Sequence, residues 1–507
     1  MTDNRRVRAK KNIATSLLSQ VVVLICGIVV PRLMIGAFGS EAYGATSSIT
    51  QFLAYITLLE GGIGGVARAV LYKPLANNDM AMIGAIMAEI KKFFRVIAWI
   101  FLCYVIVLSV SFHSISDVSC MDWISTFLLV IVISISTFGQ YFIGISHSIL
   151  LQAAQKNYIT NMVSIGATVL NAILTVVLIN FNCSLITVKL ISSCIFFLRP
   201  VVLWLYVRKT YVFPKPQKNN KEKYLTQKWT GLGQHISFFL HSNTDIAVLT
   251  IFANLRSVAV YAVYNMIISH IQSLSISFSS GMESVFGDML ARGEKRELHE
   301  TFRTYETILS VVSVILFSVA AILIIPFIKI YTSGVTDAEY IQPLFAVIMI
   351  LTALSYCLRL PYHSIIIAAG HFKETSVAAY GEAIINIVLS IVLVFKFDLV
   401  GVAIATFIAT WFRFVYYVFY LSKNIFERKI KFFVKRLAIN ICSLAVNCFL
   451  GYSVIHYLPK GSYLWWAVCG AVSVIIIGAA TFGINYIFFK DDCKRLIKNN
   501  KIVLIRK

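Results

Sequence analysis

Fourteen long apolar segments, parted by short polar breaks, leave this chain one kind of fold. They run roughly over 13–37, 43–72, 92–112, 122–151, 157–180, 184–208, 229–253, 257–283, 305–333, 341–370, 375–395, 398–421, 435–457 and 464–489. A run of about 20 apolar residues spans the hydrocarbon of a bilayer as a helix. Backbone groups in hydrocarbon must bond within their own segment, so runs of this length predict helices. The sequence therefore predicts an all-α integral membrane protein. Its 507 residues are 58% hydrophobic and 13% charged, with a mean hydropathy of +0.80. Soluble domains carry about 25% charge. That gap excludes a soluble enzyme, a disordered chain and a secreted disulfide scaffold.

The net charge of +22 would point to nucleic acid in a soluble protein. Here it follows the positive-inside rule, by which Lys and Arg gather in cytoplasmic loops. With the N-terminus inside, 35 of the 45 Lys and Arg fall in the tails and the loops after even-numbered segments. Only Arg256, Lys329, Lys396 and Lys460 fall on the opposite side. Both termini are expected in the cytoplasm, and no nucleic-acid partner is needed. The start, Arg5-Arg6-Val7-Arg8, enters an apolar run without a small-residue cleavage site and reads as a retained first helix. The ten Cys are scattered, with no CxxC pair. Cys120 and Cys183 fall near outer loops where they could meet.

The segment His147-Ser148-Ile149, Ala153-Ala154, Asn171, Arg199 recurs as His363-Ser364-Ile365, Ala368-Ala369, Asn386, Arg413 at offsets of 214–216 residues. The expected organisation is an N-terminal lobe over 1–208 and a basic cytoplasmic linker over 209–228. A C-terminal lobe over 229–421, two extra helices over 422–489 and a basic tail over 490–507 follow. A shift of six helices preserves orientation, so the lobes are expected to be related by a parallel pseudo-two-fold axis. Transporters built on such repeats hold substrate near the repeat interface and rock one half against the other.

Ionisable groups deep in a bilayer are costly and mark function. The deep set is Arg32, Glu60, Arg68, Arg199, Asp245, Arg359, Glu382 and Arg413. Five arginines against three acids predict a cationic cavity, and the guanidinium fork suits phosphate or diphosphate. Each has a structural alternative. Arg199 and Arg413 could bond helix carbonyls or acids of their own half, and Arg32 could reach outer headgroups. Glu60 and Arg68, eight residues apart on one face, could form an ion pair. Asp245, with no basic residue within a few turns, is a carboxylate paired across helices or a site for H+ or Na+ coupling. Glu60, Glu382, His147 and His363 are further coupling candidates, although a hydrogen-bonded interfacial His is the commoner case. The run Gly61-Gly62-Ile63-Gly64-Gly65 permits bending and lacks the Gly-Lys-Ser/Thr of a phosphate loop. No HExxH, GxSxG or paired-Cys site is present, so no enzyme is expected, and no metal or cofactor beyond a coupling cation.

The stretch Pro31-Arg32-Leu33, Phe38-Gly39-Ser40-Glu41-Ala42-Tyr43-Gly44, Gly61-Gly62-Ile63 and Arg68 resembles the polysaccharide transporter family. These are bacterial flippases of the multidrug/oligosaccharidyl-lipid/polysaccharide exporter superfamily. The resemblance implies an inner-membrane protein moving undecaprenyl-diphosphate-linked oligosaccharide for O-antigen, capsule or exopolysaccharide, beside polymerase and glycosyltransferase partners. It also implies a cationic V-shaped cavity with Arg32, Arg68 and Arg359 on its walls. Many members have twelve helices, and the extra pair also occurs in peptidoglycan-precursor flippases, which leaves the branch open. A cation–drug antiporter of the same superfamily would have acid-dominated walls, and a membrane glycan polymerase would carry a long outer loop.

Overall fold

A computed structural model describes residues 2–60, 63–214, 232–279, 281–426, 428–457 and 462–498. Gly61 and Gly62, most of the linker and the end of the basic tail lie outside the described residues. The described residues are mostly helical, with no strand among them. The helices are α1 (Thr2–Ala54), α2 (Ile63–Ala76), α3 (Met80–Ser116), α4 (Trp123–Gly139), α5 (Ile145–Ala153), α6 (Asn157–Asn180), α7 (Leu185–Thr210) and α8 (Leu232–Phe252). They continue with α9 (Leu255–Ser279), α10 (Met282–Arg292), α11 (Lys295–Tyr331), α12 (Pro343–Ala368), α13 (Phe372–Asn424), α14 (Lys431–Tyr457), α15 (Tyr463–Phe488) and α16 (Lys490–Lys498).

Ten helices among the described residues are long and apolar enough to cross a membrane. The chain is a multi-pass membrane protein. Two of the ten, α1 and α13, each join two helices across a kink, at Gly39 (φ 83°) and Asp398 (φ 46°). The helices α8 and α9 occupy two of the fourteen expected segments without joining the ten. The apolar described part of α8 is short, Asn243–Phe252. In α9, Asn265, Ser269, His270, Gln272, Ser273, Ser275 and Ser277 dilute the hydropathy.

One expectation is corrected. The segment 43–72 is not one helix: α1 tightens into a 3₁₀ turn over Tyr55–Glu60, and α2 restarts at Ile63. The polar stretch 284–304 is helical on either side of a turn at Gly293 and Glu294. Met282, Val285, Phe286 and Met289 form an apolar stripe at helical spacing, and Phe286 is fully buried.

The repeat is written in the backbone. Residues in the left-handed region fall at Asn78, Asp117, Gln155 and Asn182, and again at Gly293, Gly334, Gly370 and Asp398. Each pair is 215–217 residues apart. Four turns thus recur in register, as the polar landmarks do. The first half meets this geometry with Asn, Asp and Gln, whereas the second uses Gly at three of the four, where positive φ carries no Cβ penalty.

Two compact units result: Met1–Phe239 with Asn254–Ala262, and Leu240–Ala253 with Val263–Lys507. The first has an aromatic core along α3, with Phe94, Phe101 and Phe112 buried. In the second, Tyr264 packs edge-on against Phe345 and donates to the Tyr340 carbonyl at 2.8 Å.

Gly44 lies where α1 meets the start of α9 in the first unit, and a Cβ there would stand 1.8 Å from the Leu255 carbonyl oxygen. Gly36, eight residues earlier, has open space around it. Gly44→Ala is expected to lower the thermal midpoint of the detergent-purified protein, at a cost of about 1–3 kcal/mol. Gly36→Ala should leave that midpoint unchanged.

Candidate functional site

In the second unit, three candidate residues meet. Arg359 comes from α12, Glu382 from the first arm of α13, and Arg413 from the second arm beyond the Asp398 kink. Arg359 Nη1 donates to Glu382 Oε1 at 2.6 Å, and Arg413 Nη1 to Glu382 Oε2 at 2.6 Å. Each guanidinium also stands over an aromatic ring of its own helix, Arg359 over Tyr356 at 4.8 Å and Arg413 over Tyr417 at 5.1 Å. Arg413 Nε donates to the Tyr417 hydroxyl at 2.9 Å, and the His363 ring lies near-parallel to Tyr417. Arg359, Glu382 and Arg413 are 4%, 0% and 5% exposed. Charge-assisted bonds to both carboxylate oxygens satisfy Glu382, yet two cations on one anion leave a net positive charge.

Asp245, buried near the end of α8, is not surrounded by apolar atoms alone. It accepts from Thr406 Oγ1 at 2.9 Å and from Asn386 Nδ2 at 3.4 Å, and Asn386 Nδ2 also donates to Thr406 Oγ1 at 2.8 Å. Further oxygens lie one turn along the same arms. Asn386 Oδ1, Ser390 Oγ and Thr410 Oγ1 are buried with no hydrogen-bond partner among the described residues. Thr406 Oγ1 and Asn386 Nδ2 both donate to Asp245, so the buried carboxylate is held by two hydrogen-bond donors. The repeat-related pair in the first unit is Ser192 donating to Asn171, with no acid bonded to it among the described residues.

The remaining candidates lie in the first unit. Arg68 on α2 donates to Gln152 Oε1 of α5 at 2.9 Å. Glu60, at the end of the 3₁₀ turn, accepts from the Tyr141 hydroxyl. The two are therefore not the ion pair that their spacing allowed. Tyr141 lies in a π-helical turn, Gln140–Gly144, between α4 and α5. Arg199 on α7 donates to the Ser164 hydroxyl of α6 and stands over the Phe196 ring at 5.8 Å. Both Arg68 and Arg199 thus lean on neutral groups, and no carboxylate pairs with either among the described residues. His147 is buried and its Nδ1 lies 2.6 Å from the Ile143 carbonyl oxygen of its own helix turn. Arg32 is half-buried on α1.

Two networks escaped the sequence reading. Buried Glu306 of α11 accepts from Arg428 Nη1 at 3.0 Å, lies 3.4 Å from Arg436 Nε, and takes the Tyr362 hydroxyl. Arg436 and Arg303 in turn reach Asp492 of α16 at 3.6 and 3.4 Å. Glu306 stands at the very start of an apolar segment, outside the deep set. The signal for it was its place one helical turn from Arg303 on a stripe with Phe302 and Leu309. In the first unit, Glu41 accepts from Ser119 N at 2.7 Å and Cys120 N at 2.9 Å and faces Arg256 at 3.7 Å. Cys120 and Cys183 are free thiols. The Cys120 thiol is pushed up to about 11, first by burial and then by the Glu41 carboxylate.

Residues 233–392 match the MatE family model. No curated protein shows significant similarity to the sequence. Among solved structures, the fold is similar to "Lipid II flippase MurJ, inward closed conformation", at 15% identity and a TM-score of 0.66 over 95% of this chain and 99% of that one. It is also similar to the eukaryotic MATE transporter AtDTX14, at 13% identity and a TM-score of 0.57 over 84% and 97% of the two chains. The Vibrio cholerae MATE transporter VcmN in its bent form follows, at 16% identity and a TM-score of 0.52 over 83% and 99%. The chain has the fold of MurJ and MATE transporters.

Removing one partner of a buried ion pair strands the other, at about 3–5 kcal/mol, whereas exchanging the whole set for apolar residues costs far less. Glu382→Ala is therefore expected to lower the yield of folded protein and its thermal midpoint sharply. Replacing Arg359, Glu382 and Arg413 together by Met, Gln and Met should recover most of that loss. A triple variant as unstable as Glu382→Ala would contradict the shared-carboxylate account.

Proposed function

We propose that the chain is a flippase that carries undecaprenyl-diphosphate-linked oligosaccharide across the bacterial inner membrane for surface-polysaccharide synthesis, by alternating access. The observation that carries this reading is the surplus of guanidinium charge. Arg68 and Arg199 rest on a neutral amide and a neutral hydroxyl, and Arg359 and Arg413 share one carboxylate. Uncompensated cations are retained at bilayer depth only where an anion or water meets them. A sugar–diphosphate head needs substitute solvation to leave water, since unpaired polar and charged groups in an apolar medium are very costly. Arg32, Arg68 and Arg199 would take the diphosphate, with Arg359 and Arg413 held in place by Glu382 as a standing positive field. The polyprenyl tail would remain in lipid.

Outward passage of an anion is favoured by an inside-negative potential, by about 2.3 kcal/mol per charge per 100 mV. A coupled cation or proton would add to this at Asp245, displacing the hydrogen bonds that Asn386 and Thr406 donate to it. Glu60, His147 and His363 are secondary coupling candidates, each already hydrogen-bonded or stacked. The likeness to a lipid II flippase favours one second reading, a peptidoglycan lipid precursor as cargo. That cargo shares the polyprenyl diphosphate and would meet the same arginines. The multidrug reading fits less well, because organic cations call for acid-rich walls.

Arg68→Ala and Arg199→Ala should each cut transport of the lipid-linked unit about tenfold or more, the scale of one lost charge-assisted contact. Protein level in the membrane should not change. Normal surface polysaccharide in both variants would sink the reading. Asp245→Asn should remove the dependence of transport on a sodium or proton gradient in proteoliposomes while lipid-linked substrate still binds. Complementation of a strain depleted of its peptidoglycan-precursor flippase would select the second cargo.

A further inference from the structure

A cleft of about 640 Å³ opens at the end of the second unit where α13 passes to α14. Its walls include Tyr416, Phe419, Tyr420, Lys423, Arg428 and Lys429. No lining residue among those described is acidic, and three are basic. The charge distribution of the sequence assigns this end of the bundle to the cytoplasmic face.

The three cations differ in how free they are. Arg428 is tied down by Glu306 at 3.0 Å and lies over the rings of Phe302 and Phe432. Its backbone N–H donates to the Ser422 carbonyl at 3.1 Å, which folds the connection back over the end of α13. Lys423 and Lys429 are exposed and enter no ion pair among the described residues. The N-terminus of α14 follows immediately after the lining residue Ile430, so the positive end of a 27-residue helix stands at the rim. On the other wall the Tyr416 and Tyr420 rings stack, 6.3 Å apart and 8° from parallel. Their hydroxyls are held by the Glu374 carbonyl and His371 Nδ1.

Apolar groups flank this polar mouth. Phe419, Phe432 and Ile430 are 52%, 46% and 37% exposed. In a membrane protein, stacked tyrosines between exposed apolar side chains and lysines mark the headgroup level, with acyl chains on one side and water on the other. A free anion would use the lysines and the helix end but not the apolar rim. A phospholipid uses both.

We propose that this cleft is a binding site for the phosphate headgroup of an anionic membrane phospholipid, held by Lys423, Lys429 and the start of α14, with its acyl chains along Phe419, Ile430 and Phe432. The site is separate from the transport arginines and is read without transport, so it stands or falls independently of the cargo. Through Arg428 it abuts the Glu306 network that ties α11, α14 and α16 together.

The test uses the full-length protein in nanodiscs of mixed phosphatidylglycerol and phosphatidylcholine, with retained lipid counted by mass spectrometry after extraction into detergent. Wild type should retain phosphatidylglycerol over phosphatidylcholine. Lys423→Ala with Lys429→Ala should weaken that retention about tenfold or more, the scale of two basic side chains at an anionic surface. The thermal midpoint should stay unchanged in a lipid-free detergent that does not contain the anionic lipid. A photoactivatable phosphatidylglycerol on the wild-type chain supplies a reading that needs no variant, and its cross-links should fall within 416–432. Equal retention by the double variant, labelling confined to other segments, or displacement of the lipid by millimolar inorganic phosphate alone would overturn the proposal.

Discussion

A charge inside a bilayer must be matched, hydrated or used, and the arrangement of the helices around the buried ions obeys that constraint. Glu382 carries the clearest case. Placed on the first arm of α13, it binds Arg359 of α12 and Arg413 of the second arm at 2.6 Å each. One carboxylate therefore fixes three helical segments relative to one another. A hydrophobic set could hold the same segments at no greater cost. What the ionic set adds is a rigid guanidinium pair that keeps net positive charge in a dry interior, where it acts over longer distances than it would in water.

The two units began from one plan and diverged in chemistry. Left-handed residues recur at four turns, and the pair Asn171–Ser192 answers to Asn386–Thr406. Among the described residues, only the second unit places an acid beside that pair, Asp245, and only the second gives its landmark arginine a carboxylate. Arg199, the counterpart of Arg413, has a serine instead. Duplication preserved what the backbone requires and left side chains free to specialise. The buried acid Asp245 thus falls in one unit, and Arg68 and Arg199, without a carboxylate partner among the described residues, in the other.

Much of this was legible in the sequence, for identifiable reasons. Segment positions followed from hydropathy because bilayer thickness sets helix length. The His-Ser, Asn and Arg landmarks exposed the repeat because polar residues are rare against an apolar background. Asp245 stood out as a lone acid, and Asn386 was reachable through the repeat. Thr406 was not, since a hydroxyl bonded to its own helix carbonyl looks the same in any span. Periodicity placed Glu60 and Arg68 on one face but could not foresee the 3₁₀ turn over Tyr55–Glu60, and Glu60 meets Tyr141 while Arg68 meets Gln152. Arg428 and Arg436 were counted as loop charge, because position relative to a segment edge does not reveal a partner on another helix.

The last two spanning helices raise a separate physical question, since lipid tails remove the hydrophobic drive for helix association. Their attachment is polar and close-packed instead. Asn440, Ser443 and Asn447 share one buried face of α14, and Asn447 Nδ2 reaches Ser318 of α11 at 3.0 Å and Thr481 of α15 at 2.8 Å. Gly451, one turn further, brings α14 so near α11 that a Cβ would stand 2.0 Å from Ile322 Cδ1. At the other end Glu306 binds Arg428 and Arg436, and Asp492 of α16 closes the chain of charges. Amide clasps at mid-span and an ion network at the end resist sliding and splaying respectively. Helices α11, α14 and α15 are thereby one mechanical element, so any tilt of α11 carries the additional pair with it.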